Sequence, residues 1–225
     1  MKSKLKAFLA SIILTGGIVT YASSDSIHVF AQEKNELDGK VVMIDPAHGG
    51  LDTGAVNGKD TEAKLTYKIA KAVQKKLEKK GADVILTRTN DKTKRVSITS
   101  RKQMIEKVHP DFLISLHVNN SSKKSNEGVS AYFVNDLDKP FAQDLQENTA
   151  KILHMKENKS SSLTSDHATT LLKLQPAVND MHASLMEIGF MSNKDDLSTL
   201  KKKKTPKKIA NVLTKAIVNE TKSQE

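Results

Sequence analysis

The sequence predicts a single α/β domain, with a central, mostly parallel sheet flanked by helices on both faces. Short apolar runs of strand length alternate with longer segments whose apolar residues recur at helical spacing. That alternation implies helices packed over a parallel sheet. No internal repeat and no Pro- or Ser-rich linker divides the chain. Its 225 residues fit one domain of ordinary size and can bury a core without covalent staples.

Each element has a local reason. "KVVMID" (40–45) is a short apolar strand. Residues 62–80 read as a helix because Leu65, Ile69, Val73 and Leu77 recur every four positions; Asp60 or Thr61 can cap it and Gly81 stops it. "ADVILTR" (82–88) is the next strand, and 97–107 reads as a helix. "DFLISLHV" (111–118) is a buried strand and "GVSAYFV" (128–134) another. A helix over 141–154 precedes a late strand, "ASLMEIGF" (183–190). The last helix opens with Thr205 as cap and Pro206 in its first turn, and its stripe is Ile209, Val212, Leu213, Ala216 and Ile217. "KENKSSSLTSDHATT" (156–170) is polar and reads as a loop.

The N-terminus differs in kind. "MKSKLK" is basic, "AFLASIILTGGIVTYA" is apolar, and "VFA" at 29–31 offers small residues for cleavage. Gly16 and Gly17 interrupt an apolar run already short for a span of roughly 20 residues. Residues 1–31 therefore read as a secretory signal, cut after Ala31 or after Ala22. Residues 32–37 follow as a short linker, and 38–225 as the folded domain. With no cysteine, neither a disulfide nor a thiolate nucleophile is available. The net charge of +10, carried mainly by lysine, suggests an anionic partner surface. Aromatic residues make up only 4%, which argues against binding single-stranded nucleic acid by base stacking.

Four ionisable residues stand out on this scaffold. His48 lies just past the first strand, His117 ends an apolar strand, and Glu187 sits inside the late strand between Met186 and Ile188. Ligand crevices of open α/β sheets lie at the carboxyl ends of the strands, where all three would converge. Glu62 shares the inward stripe of its helix, three residues before Leu65. Taken singly, His48 reads as a turn residue, His117 as a hydrogen-bonded core histidine and Glu62 as a first-turn acid favoured by the helix dipole. Glu187 has no such reading, because a carboxylate among apolar strand neighbours needs a partner or a task. Together, two histidines and a glutamate make a ligand set for catalytic zinc, and a second carboxylate nearby can transfer protons.

In this order, "IDPAHGGLDTGA", "EAKLTYKIA", "LTR", "ISLHVN" and "MEIGFMSN" resemble the zinc-dependent N-acetylmuramoyl-L-alanine amidases of the LytC/AmiA type, the Amidase_3 family. The resemblance runs over about 40–218. It implies one zinc per chain, held by His48, Glu62 and His117, with Glu187 as the catalytic glutamate. It implies an amidase catalytic domain that hydrolyses the amide between N-acetylmuramic acid and L-alanine in peptidoglycan. Two departures stand beside it: Ala47 where the family commonly has glycine, and His182 where proline is frequent. Asp45 is read either as the carboxylate that orients His48 or as a turn cap. Arg101 is expected in a structural ion pair. Asn119 and Asn193 are read as fixing turns, and His109, His154 and His167 belong to no motif.

The implied partner is peptidoglycan, with anionic wall polymers on a lysine-rich surface that includes "KKKK" at 201–204. Nucleic acid is not expected, nor a stable membrane anchor after signal cleavage. The expected location is secreted and cell-wall associated. Two other classes stay open: another zinc peptidoglycan or peptide hydrolase, such as a carboxypeptidase, and a non-catalytic wall-binding protein. The second is disfavoured because all four chemical positions are filled.

Overall fold

Alternating side chains set the layering of the sheet. In β4 (Val41–Pro46), Val42 and Ile44 point to one face and Met43 to the other, and all three are fully buried. In β8 (Phe112–Asn119), Phe112, Ile114 and Leu116 join the cluster of Val42, whereas Leu113 joins that of Met43. In β11 (His182–Phe190), Met186 and Ile188 take the first face, Ala183 and Leu185 the second. Strands buried on both faces need helices on both. On the first face lie α1 (Glu62–Glu78), α3 (Lys139–Leu153) and α5 (Thr205–Ser223), and on the second α2 (Ile98–Val108), which contributes Ile105.

The computed structural model describes residues 35–90, 95–158 and 181–223, together with strand backbone at 13–15, 18–23, 26–31 and 161–162. It divides into two units, Met1–Asn35 and Glu36–Glu225. In the first, β1 (Ile13–Thr15), β2 (Ile18–Ser23) and β3 (Ser26–Ala31) form an antiparallel three-stranded sheet. The rest of the expected signal segment lies outside the described residues. Leu37, placed by the sequence in the linker, is fully buried in the second unit, and its N–H donates to the Lys80 carbonyl at 2.9 Å.

With β7 (Asp83–Leu86), β9 (Val129–Phe133) and β10 (Ser161–Ser162), the second unit's main sheet runs β10-β9-β11-β8-β4-β7. Every neighbouring pair is parallel except β9 with β11. The carboxyl ends of β4, β8 and β11 therefore share one edge. Among the described residues, no helix is long and apolar enough to cross a membrane.

Local chemistry explains the helices. Thr61 caps α1 by accepting from the Lys64 N–H, and Leu65, Ile69, Val73 and Leu77 are its buried stripe. Against that stripe packs α5, through Ile209, Leu213, Ala216 and Ile217. His109 and His154, which belong to no motif, end α2 and α3 in the left-handed conformation, with φ of 49° and 54°.

Four short elements lack a periodic signal. The ribbon of β5 (Val56–Asn57) and β6 (Asp60–Thr61) is two residues wide. Helix α4 (Lys194–Lys201) buries only Leu197 and Leu200 from its apolar set, and is held by the Asn193 cap, which accepts from the N–H groups of Asp195 and Asp196. Strand β10 lies inside the stretch expected as a loop and pairs Ser161 with Tyr132; residues 159–160 and 163–170 of that stretch lie outside the described residues.

Phe112 joins the layers, with its ring 5.6 Å from that of Phe141 and 5.4 Å from that of His182. Phe112→Ala should cost about 3–5 kcal/mol, measured as a lower urea midpoint with an unchanged slope.

Candidate active site

At the end of β4 the chain must turn within four residues and present a side chain. His48 takes φ 60°, Gly49 118° and Gly50 63°. Three consecutive left-handed residues need outside support. Two buried arginines supply it. Arg88 Nε donates to the Pro46 carbonyl at 2.8 Å, and its Nη2 to the carbonyls of Ala47 and Ala63 at 3.1 and 2.7 Å. Arg101 Nη2 donates to the His48 carbonyl at 2.7 Å, and its Nη1 to that of Pro46 at 3.1 Å. A side chain at Gly49 would collide with Arg88, whose Cδ lies 2.5 Å from the added Cβ. Ala47 lies outside the left-handed region, so alanine at this position carries no strain.

Asp45 neutralises the arginines. Its carboxylate accepts from Arg101 Nη1, Thr87 Oγ1 and, at 2.8 Å, Ser115 Oγ. Burial pushes its pKa up, but the Arg101 charge and the two hydroxyls outweigh burial and hold it below the usual carboxylate range. Burial and the Arg101 charge pull Arg88 down to about 10, so it stays charged at neutral pH. The sequence left Asp45 between orienting His48 and capping the turn; the structure places it on Arg101. The carboxylate on His48 is Asp52, whose Oδ1 lies 3.0 Å from Nδ1 and also accepts from the Gly54 N–H at 3.1 Å. Asp52 is fixed in turn by paired backbone hydrogen bonds with Gly49.

His48 Nε2 lies 3.0 Å from Glu62 Oε2, and His117 Nδ1 3.1 Å from Glu62 Oε1. Each oxygen also accepts a backbone N–H, from Ala55 and Val118 respectively, both at 3.1 Å. The ligand atoms of His48, Glu62 and His117 all lie within 4.8 Å of one another. Burial pushes Glu62 up, but the hydrogen bonds and charges of the two imidazoles hold it far below the usual range. Burial lowers both imidazoles, and the bond to Glu62 overcomes this and raises them. Protons thus bridge one carboxylate and two imidazoles, where a divalent cation would replace them. Two nitrogens and a carboxylate at this spacing fit such an ion.

Glu187 pairs in register with His117, on the neighbouring strand. It is 5% exposed. Burial pushes its carboxyl up to about 7, with His117 and His48 opposing and Glu62 adding to the rise. The edge thus holds one carboxylate suited to a cation and another suited to a proton.

The family model for N-acetylmuramoyl-L-alanine amidase matches residues 42–219. The chain belongs to this family. It is 34% identical over 174 residues to the probable cell wall amidase LytH of Staphylococcus aureus, covering 76% of this chain and 54% of that one. For the Staphylococcus epidermidis protein of the same name the figures are 33% over 169 residues, 74% and 53%. The chain thus spans about half the length of the curated relatives it matches. Cwp6 from Clostridium difficile superposes with a TM-score of 0.69 at 30% identity, over 80% of this chain and 29% of that one. The catalytic domain of CwlV, an N-acetylmuramoyl-L-alanine amidase from Bacillus (Paenibacillus) polymyxa var. colistinus, shares the fold: TM-score 0.71, 24% identity, 80% of this chain and 97% of that one.

The remaining amidase-motif positions serve as supports. Asn119 ends β8, its side chain accepting from the Asn120 N–H at 2.7 Å and its carbonyl from the Met191 N–H at 2.7 Å. Asn193 caps α4. His182 lies at the amino end of β11, between Asp138 at 3.6 Å and Glu220 at 3.8 Å. Sequence reasoning missed Asp52 and Gly54. Gly54 has φ 62°, and a Cβ there would lie 2.5 Å from His48 Cδ2 and 2.7 Å from Glu62 Oε2. Its only signal was its place in "LDTGA".

Asp52→Asn should weaken metal binding about 10–100-fold, and Gly54→Ala should abolish it; competition by a chelator for the bound metal on the purified proteins measures both. Asp45→Asn leaves the Arg101 charge uncompensated and should cost about 3–5 kcal/mol at neutral pH. Because the folded pKa of Asp45 is lowered, its stabilisation is complete above the unfolded value of about 3.9 and is lost as pH falls through the folded one. The gap between parent and Asp45→Asn in urea melts should therefore narrow below about pH 4.

Proposed function

We propose that the chain hydrolyses the amide between the lactyl group of N-acetylmuramic acid and L-alanine in bacterial peptidoglycan, with one zinc ion held by His48, Glu62 and His117. The observation that carries this is the gathering of those three ligand atoms within 4.8 Å at the sheet edge where Glu187 lies. Zinc bound there supplies a Lewis acid for the carbonyl and lowers the pKa of water toward about 7. The chain's own residues do the rest. Asp52 holds the Nδ1 proton of His48, so that Nε2 presents its lone pair. Glu187, buried and level with His117 on the neighbouring strand, takes a proton from the attacking water and returns it to the leaving amine. The backbone N–H groups of Ala55 and Val118 keep Glu62 anionic and aimed.

The basic and apolar N-terminus supports export, with a signal removed after Ala31 or Ala22 and the mature protein acting at the cell wall. The description of the Staphylococcus relatives as cell wall amidases agrees with that location. The lysine excess supports attachment to anionic wall polymers; retention of the protein in pelleted walls should then fall steadily across a salt series.

Product analysis tests the reaction. Digested peptidoglycan should yield whole stem peptides with L-alanine N-termini and intact glycan strands, whereas a carboxypeptidase would release single amino acids. Two variants separate the carboxylates. Glu62→Ala should lose zinc and activity together. Glu187→Gln should keep about one zinc per chain while the lysis rate falls on the order of 10²–10⁴; elemental analysis beside wall-lysis rates measures both.

A further inference from the structure

The segments that carry the chemical residues extend past them and meet again. The β5–β6 ribbon, which runs into Glu62, brings Asn57, whose Nδ2 donates to the Met191 carbonyl at 2.8 Å. The loop after β8, which carries His117, brings Ser121 and Lys124; the Ser121 N–H donates to Ser192 Oγ at 3.0 Å, and the Lys124 carbonyl accepts from Asn193 Nδ2 at 3.1 Å. The chain leaving β11, which carries Glu187, brings Ser192, Lys194 and Lys201. Between them lies an open cavity of about 590 Å³, walled by Asn57, Lys124, Ser192, Lys194, Ser198 and Lys201 among others.

The charge of this cavity is one-sided. Lys201 is matched by Asp60 at 2.6 Å. Lys124 and Lys194 are exposed, and neither makes an ion pair with a described residue. Of the other acids in the first turn of α4, Asp196 turns inward to accept from the N–H groups of Gly128 and Phe190, at 2.8 and 2.9 Å, and Asp195 is exposed. Two ammonium groups without an ion pair among the described residues, beside serine hydroxyls and an asparagine, favour an anionic, hydrogen-bonding ligand.

We propose that this cavity is the subsite for a carboxylate of the stem peptide, with Lys124 and Lys194 setting a preference for stems whose carboxylates are free over stems amidated there. The proposal rests on the amidase reading, since it takes the peptide side of the cleaved amide to lie over the end of β11. Both lysines are solvent-exposed, so the preference should be modest, roughly three- to tenfold.

The test uses the zinc-loaded full chain in a Glu187→Gln background, so that ligands survive, and calorimetry with muropeptides of free or amidated stem. The parent background should bind the free-carboxylate form roughly three- to tenfold more tightly. Lys124→Ala/Lys194→Ala should bind both forms alike, and Lys75→Ala/Lys79→Ala, at the carboxyl end and cap of α1, should keep the preference. No preference in the parent background, or one that survives loss of Lys124 and Lys194, overturns the proposal. So does competition by a glycerol-phosphate oligomer through the same two lysines with no effect of amidation, which would make the cavity a phosphate site. Failure of the zinc-loaded parent chain, with Glu187 in place, to cut any muropeptide refutes the amidase reading instead, and the binding comparison is still decided by its own result.

Discussion

Two buried guanidinium groups hold the backbone on which the site depends. Arg88 and Arg101 between them bind the carbonyls of Pro46, Ala47 and His48, the point where a buried strand becomes a left-handed turn. Backbone in that region reverts unless its surroundings over-determine it. Burying two like charges side by side is costly, and Asp45 with the hydroxyls of Thr87 and Ser115 makes the arrangement tolerable. Arg88 also reaches the Ala63 carbonyl in the first turn of α1, so one side chain ties the turn carrying His48 to the helix carrying Glu62. The relative placement of those two residues is therefore set by hydrogen bonds to rigid elements, together with the contacts that Asp52 and Ala55 make from the loop between them.

The same edge gives two carboxylates opposite characters through their surroundings. Glu62 receives two backbone N–H groups and faces two imidazoles, all of which favour its anion. Glu187 lies among apolar strand residues one strand away, and burial dominates there. Pairs of titratable groups driven apart in this way mark where cation binding and proton transfer are divided. Parallel pairing of β8 with β11 brings the two together, because it places Glu187 level with His117.

The fold, and the meeting of His48, Glu62, His117 and Glu187 at one sheet edge, were legible because long-range order left short-range marks. Continuous apolar runs of strand length and apolar patterns at helical spacing place β4, β8, β11, α1 and α5, and once a strand is known to be buried, a lone Glu187 within it is conspicuous. The supports were less legible. Arg101 was expected in an ion pair, which Asp45 supplies, but both arginines also act on carbonyls, which any residue supplies, so nothing in the sequence of the turn marks that second role. Asp45 and Asp52 are both short acids near His48, and only the path of the chain decides that Asp52 reaches Nδ1 while Asp45 faces Arg101. The small elements β5, β6, β10 and α4 are too brief for a period to show; caps and pairing partners hold them.

Those small elements occur where the sheet's regular order stops, and that position explains their use. A parallel strand brings a residue to the carboxyl edge and then needs its chain to turn away, and each turn leaves side chains projecting over the edge. The β5–β6 ribbon, the loop after β8 and the cap of α4 are the three turns that follow or precede the chemical residues here, and hydrogen bonds from Asn57, Asn193 and the Ser121 N–H knit them into one surface. The chemistry is thus fixed by strands and arginines, while what surrounds it is drawn from segments that the core does not constrain. Substitution at Lys124 or Lys194 touches no buried contact, so the rim can change its ligand preference without disturbing the geometry of His48, Glu62 and His117.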